Sequence, residues 1–350
     1  MKRFNESYRG KRILITGHTG FKGSWLTLWL HELGAEITGI ALPSNGQLNH
    51  FDLLKLPIDD RRYDIRNIEN IKQVFKEKSP EVVFHLAAQP LVRRSYKDPL
   101  ETWSTNVMGT ANILEVCRQN ESVNAIVVVT TDKCYQNQEI TRGYHELDLL
   151  GGHDPYSSSK AGAELVAASY RDAFYNSKSR PLLATARAGN VIGGGDWSED
   201  RLIPDIIRAI ELNHTLKIRS PSSTRPWQHV LESLNGYLLL GQKLLSGDKT
   251  FAEAWNFGPD PDGNRSVAEV LSKLQSTWKE LQWKITDEPQ PHETKLLHLD
   301  NTKAKSKLGW NPVWNIDEAL LQTASWYSAW MGSRKVISHQ QLTDFIIKLA

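Results

Sequence analysis

Residues 13–30 read ILITGHTGFKGSWLTLWL: a short apolar strand ending in Thr16, then Gly17, Gly20 and Gly23, then an apolar helical pattern that starts near Phe21. Glycines let the backbone turn tightly and approach a pyrophosphate. The helix that follows offers free amide donors and the positive end of its dipole to an anion. The order strand, glycines, helix predicts a dinucleotide-binding turn, with Gly17, Thr19, Gly20, Phe21, Lys22 and Gly23 as cofactor contacts. The spacing is G-x-x-G-x-x-G rather than G-x-G-x-x-G, and a glycine triplet alone also fits a plain turn. The context along the chain has to decide between them.

Outward from this segment, β-rich apolar runs at 12–16, 36–41, 82–86, 125–130 and 182–186 alternate with longer helical patterns. That alternation predicts an α/β fold: a Rossmann-type doubly wound parallel sheet covered on both faces. Right-handed crossovers then bring the strand ends to one edge, where such sheets bind ligands. After about Arg187 the texture turns Gly-rich and Pro-punctuated, as in GGGDWSEDR (193–201) and RSPSSTRPW (219–227). These segments predict a smaller, interleaved substrate lobe made of 188–228 and 259–350. The nucleotide-binding domain is expected over 1–187, with 229–258 returning to it as a helix (229–245) and a late strand (254–257).

The bulk composition narrows the function classes. The 350 residues carry 42 Lys plus Arg against 40 Asp plus Glu, a formal charge of +2, far from the basic excess of a general nucleic-acid binder. An anionic ligand must therefore be met by a few placed cations. Two cysteines, Cys117 and Cys134, give neither a disulfide framework nor a zinc-ligand spacing, so no metal is expected and a reducing cytosol fits best. No stretch approaches the roughly 18 apolar residues of a membrane span, and the first residues lack the apolar core of a signal peptide. A cytoplasmic protein with no membrane partner is expected. The 12 tryptophans follow no period, and packing accounts for them.

The acid that usually binds the adenosine ribose at the end of the second strand is missing, since that region reads GIALPSNGQ (39–47). No Arg or Lys stands there to meet a 2′-phosphate either, which favours NAD over NADP. Asp64 and Ile65 are candidate partners for the adenine, although a surface aspartate fits position 64 nearly as well. HLAAQ (85–89) puts small residues at a strand end, so that Leu86, Ala87 and Ala88 can lie against the cofactor; His85 reads as a packed core histidine.

Tyr156 and Lys160, in DPYSSSKAGAE, lie four apart at the start of a helix and so share a face. A neighbouring ammonium and a cationic nicotinamide would both favour the phenolate of Tyr156, fitting it to take a proton from a sugar hydroxyl. The strand AIVVVT ends in Thr131, Asp132 and Lys133, which the topology places at the same edge. With the glycine loop, the threonine at the strand end and the Tyr-Lys pair, the chain resembles the extended short-chain dehydrogenase/reductases over nearly its whole length. An epimerase of that family would carry small hydroxyl residues at 132 and 133, whereas its sugar-nucleotide 4,6-dehydratases carry an acid at the first of these positions. TTDKCY, GGHDPYSSSKAGAELV, RAGNVIGGGDWSEDRLIPD, RPWQHVLE and WNFGP resemble the CDP-glucose 4,6-dehydratase group within it. Lys133 departs from the dTDP-glucose enzymes, which have glutamate there.

The resemblance implies NAD as cofactor, CDP-glucose as substrate, and an assembly of two or four copies built on the helices after the fourth strand and the helix of Tyr156. It also implies roles. Tyr156, with Lys160 and Thr131, serves oxidation at C4, and Asp132 donates a proton to the departing C6 hydroxyl. Lys133 has two readings of equal weight: C5 base in its neutral form, or a group that positions Asp132 or stabilises an enolate. Arg201, Arg225 and His292 are candidates to meet the diphosphate, and Gln89, Asn190 and Asn256 are further substrate candidates. Trp197 and Trp227 can stack on the base or simply pack. A 4-epimerase on the same fold has no evident use for Asp132, and a non-catalytic NAD-sensing regulator has none for an intact Tyr156 and Lys160.

Overall fold

The computed structural model describes residues 4–44, 46, 48–175, 181–286 and 296–349. Six sheet strands follow in chain order: β1 (Arg12–Thr16), β2 (Glu36–Ala41), β3 (Asp59–Arg62), β4 (Val82–His85), β5 (Ala125–Val129) and β6 (Leu182–Ala188). The strand Ala254–Phe257 joins β6 at one edge, giving a seven-stranded, all-parallel sheet in the order 254–257, β6, β5, β4, β1, β2, β3. The short β3 was not anticipated as a strand. Its sequence, Asp59-Asp60-Arg61-Arg62, has no apolar alternation because it lies at a half-exposed sheet edge.

Alternation along the central strands divides the core between the two faces, as a pleated sheet requires. Ile13 and Ile15 of β1, Val82 and Phe84 of β4, and Val127 and Val129 of β5 enter one cluster with the helices Phe21–Glu32 and Val230–Leu245. Leu14, Val83, Ile126 and Val128 face the other way, against the helices Ile68–Lys78 and Gly109–Arg118. Trp25, Trp29, Trp255, Trp310 and Trp326 are fully buried and Trp227, Trp278, Trp314 and Trp330 nearly so, so packing is what most of the tryptophans do.

The helix that carries the Tyr-Lys pair, Pro155–Tyr170, begins where its sequence dictates. Asp154 accepts a bond from the Ser157 amide (2.9 Å), and Pro155 occupies the first turn, where a missing N–H costs nothing. Beyond β6 the chain forms three separate two-stranded pairings, 191–192 with 228–229, 224–226 with 264–266, and 216–218 with 283–285. The helix Ile316–Ser333 starts with a capping box of Asn315 and Glu318. Among the described residues no helix is long and apolar enough to cross a membrane, and no group of His, Cys, Asp or Glu is arranged to hold a metal ion.

Candidate active site

A cleft of about 860 Å³ runs along the carboxyl ends of the strands, across the reversal of strand order between β1 and β4. Gly17, Thr19, Gly20, Phe21, Lys22 and Gly23 line it after β1, Leu86, Ala87 and Ala88 after β4, and Asp64 and Ile65 after β3. The residues expected to hold the cofactor therefore meet in one place.

This half is made of backbone. Gly20 caps the helix Phe21–Glu32 with no side-chain hydrogen bond, leaving the first amides of the helix to the cleft. Gly17 has φ +76°, and a Cβ there would sit 2.7 Å from the Ala87 nitrogen; one on Gly23 would sit 2.0 Å from the Gly17 oxygen. The turn is a cradle that any side chain would fill, and its uncapped amides suit a pyrophosphate. The residues present thus fit a dinucleotide. His85 is a packed histidine, as expected: its Nδ1 lies 2.7 Å from Thr16 Oγ1, its Nε2 lies 3.0 Å from Thr110 Oγ1, and burial pushes its pKa down to about 3. Asp64 is gripped by Arg66 (2.6 and 2.9 Å), which holds its carboxyl below the usual range.

The other half is made of side chains. Tyr156, Lys160, Thr131, Asp132 and Lys133 all line the cleft, and Tyr156 and Lys160 are buried. Burial pushes the Tyr156 hydroxyl up to about 12, while a hydrogen bond with Thr131 pulls it down. Lys160, one helical turn further on, donates through Nζ to the Val129 carbonyl (3.1 Å). Burial lowers Lys160 itself to about 8, opposed chiefly by Glu164 one helical turn further on. Asp132 is buried, with one oxygen, Oδ1, accepting from Thr131 Oγ1 (3.0 Å) and Lys133 Nζ (3.2 Å). Its Oδ2 is buried with no hydrogen-bond partner among the described residues, close to where a Gly189 side chain would begin (3.1 Å).

On the substrate side, Asn190, Arg201, Arg225, Trp197 and Trp227 reach the cleft. Arg201 is braced by Asp196 (3.0 Å), and Trp227 is anchored by its indole N–H on the Arg265 carbonyl (2.9 Å). Two expected substrate contacts lie elsewhere. Gln89 turns its amide inward, donating to the Leu91 carbonyl (3.1 Å) and Thr102 Oγ1 (3.0 Å) and accepting from the Leu91 amide (2.7 Å). Asn256, fully buried, accepts from the Tyr135 hydroxyl (2.8 Å) and donates to the Tyr144 carbonyl (2.8 Å). Both are polar residues at strand ends whose hydrogen-bonding capacity is spent on neighbouring loops. His292 lies outside the described residues.

Several cleft residues had no motif to announce them. Arg93 bridges to Asp200 (3.0 Å) across the cleft, and Lys217 and Arg219 line its far side. Within the glycine turn, His18 is fully buried with Nε2 2.9 Å from Asp60 Oδ1, in a space that exists because residue 39 is glycine. Burial and the nearby Arg201 charge push Lys22 down to about 7, with Asp132 opposing. Lys22 is one of the cofactor contacts that the loop predicts, whereas only the G-H-T-G spelling hinted at His18.

Comparison with known proteins places this site in context. The family model described as GDP-mannose 4,6 dehydratase matches residues 14–323. A CDP-glucose 4,6-dehydratase of Salmonella typhimurium is 45% identical over 348 residues, covering 97% of both chains. Among solved structures, an epimerase from Methanothermobacter thermautotrophicus superposes with a TM-score of 0.84 at 24% identity, covering 95% of this chain and 96% of the other. A dTDP-glucose 4,6-dehydratase from Streptomyces venezuelae gives a TM-score of 0.78 at 22% identity, covering 91% and 97%. At these identities the structural likeness speaks for the fold alone.

Proposed function

The chain belongs to the GDP-mannose 4,6 dehydratase family, and from that premise we propose that it is an NAD-dependent CDP-glucose 4,6-dehydratase that converts CDP-glucose to CDP-4-keto-6-deoxyglucose. The observation that carries this reading is the buried Asp132, its Oδ2 unpartnered, in the same cleft as Tyr156 and Lys160. A 4-epimerase needs the proton acceptor but leaves a buried carboxyl at this point without a task. The 45% identical relative supports CDP-glucose over other sugar nucleotides.

Tyr156, steadied by Thr131, takes the proton from O4 as C4 is oxidised. NAD, when bound along Gly17–Gly23, supplies the hydride acceptor for C4 and the later donor to C6, together with a cationic ring that favours the tyrosinate. The C4 ketone acidifies the C5 hydrogen; a base removes that proton, Asp132 protonates the C6 oxygen so that it leaves as water, and the base returns a proton to C5 as C6 is reduced. Lys133, with Nζ 3.2 Å from Asp132 Oδ1, is placed to orient the acid, and its reading as the C5 base stands beside this. Arg201 and Arg225 meet the diphosphate, and the segments 188–228 and 259–350 act as the substrate lobe over the 1–187 domain.

We assign the protein to the cytoplasm and to a homodimer or a pair of dimers. Exposed Leu100, Trp103 and Met108, with Leu165 on the Tyr156 helix, supply an apolar surface for association. Light scattering that finds a 39.7 kDa monomer at working concentration counts against the assembly. The activity is tested by incubating the protein and NAD with a panel of nucleoside diphosphate hexoses. Loss of one water from CDP-glucose in the mass spectrum is expected; C4 inversion without water loss would mean an epimerase.

A further inference from the structure

The segment Thr131–Lys133 is gripped on both flanks by groups that never reach the cleft. On one flank, the Thr130 hydroxyl donates to Glu164 Oε1. On the other, the Tyr135 hydroxyl accepts from Arg187 Nη1 (2.7 Å) and donates to Asn256 (2.8 Å). Glu164 and Arg187 are themselves paired at 2.8 Å, both almost fully buried, and Thr185 adds a third bond to the carboxylate (2.7 Å). The guanidinium also stacks over the Tyr135 ring, 5.0 Å from its centre. Glu164 projects from the helix of Tyr156 and Lys160, whereas Arg187 belongs to β6.

We propose that Glu164 and Arg187 form a positioning pair, locking the acid segment Thr131–Lys133 in register with the helix that carries Tyr156 and Lys160. The inference rests on the dehydratase reading, in which the elimination step needs Asp132 and Lys133 in fixed places while the oxidation step needs Tyr156. A buried ion pair is a poor device for stability alone, since packed apolar residues serve as well or better. Here, apart from one bond from Arg187 Nη1 to the Glu146 carbonyl (3.2 Å), every bond the pair makes outside itself goes to a residue flanking the acid segment or to the strand beside it. Burial would raise the Glu164 carboxyl, but Arg187 and the two threonine hydroxyls outweigh it and keep the group charged. An error of about 1 Å in such a segment costs roughly a hundredfold in rate.

Tyr135→Phe removes one hydroxyl from this clamp and leaves the cleft lining untouched. Elimination should slow by about tenfold to a hundredfold while C4 oxidation keeps its rate and KM is unchanged. Reduced nicotinamide then builds up after mixing with CDP-glucose. Glu164→Gln should slow both steps; if it does not fold, the double variant Glu164→Gln with Arg187→Met removes both charges together and should still show the transient. Amide exchange measured by mass spectrometry should be faster across 131–135 in each variant, a readout that needs no substrate. Wild-type protein that leaves CDP-glucose unchanged would defeat the dehydratase reading, whereas the exchange data would still decide the clamp. A folded Tyr135→Phe or double variant with wild-type exchange and no transient overturns the proposal.

Discussion

The two halves of the cleft are built from different materials. The cofactor half is backbone: three glycines, an uncapped helix start and the small residues of HLAAQ. The chemical half is side chain: Tyr156, Lys160, Asp132 and Lys133, drawn from a helix and a strand end more than 20 residues apart in sequence. Backbone sites depend on local conformation, which a few glycines specify. Side-chain sites depend on how distant elements pack, so they carry the sharper consequences when altered.

The largest expected effect is in the chemical half. Tyr156→Phe keeps the ring and deletes the proton acceptor, so turnover should fall by about 10²–10⁴-fold while cofactor binding stays nearly normal; near-normal turnover would break the assignment. Asp132→Asn comes next. It keeps size but loses the acidic proton, so oxidation should survive and product formation slow by about 10²-fold, with reduced nicotinamide accumulating in stopped flow. Unchanged product formation with no transient would make Asp132 structural.

In the cofactor half, Gly23→Ala forces a Cβ to 2.0 Å from the Gly17 oxygen. The strain, about 1–3 kcal/mol for an overpacked site, should weaken NAD binding roughly tenfold to a hundredfold by titration, and wild-type affinity would refute the cradle. Smaller still, Arg225→Ala should raise the sugar-nucleotide KM by about tenfold, with kcat little changed, if it holds phosphate in ground and transition states alike. A kcat loss at constant KM would instead make it part of the chemistry.

A separate effect, read in stability rather than in turnover or binding, distinguishes the halves by pH. Burial holds His50, His85 and His229 at about 3 each, against 6.5 ordinarily. Between those values the unfolded chain binds protons that the folded chain refuses, so their contribution to stability is complete above about pH 6.5 and is lost as pH falls. His50 bonds Ser24 (2.8 Å) and His85 bonds Thr16 (2.7 Å), so two of the three prop the cofactor half. Melting temperature should decline from about pH 6.5 downward, with amide exchange rising first around residues 16–24; a flat profile to about pH 5 would remove the histidines from the account.

The sequence by itself determined the sheet, through continuous apolar runs such as β1, β4 and β5 alternating with helical patterns, and the cofactor turn, through Gly17, Gly20 and Gly23. It also placed Tyr156 and Lys160 on one helical face. Period and glycine spacing are local properties, written in a dozen consecutive residues. Only the tertiary structure decided that Gln89 and Asn256 face inward, because nothing in an Asn or Gln reveals whether its amide bonds will be spent on a neighbouring loop. The same holds for β3, whose charged residues lack a strand pattern at the sheet edge, and for the bond from Lys160 Nζ to the Val129 carbonyl. Glu164 and Arg187 stand 23 residues apart, and their meeting behind the acid segment depends on β5 and β6 lying side by side. Long-range packing sets such contacts, and no short stretch of sequence contains it.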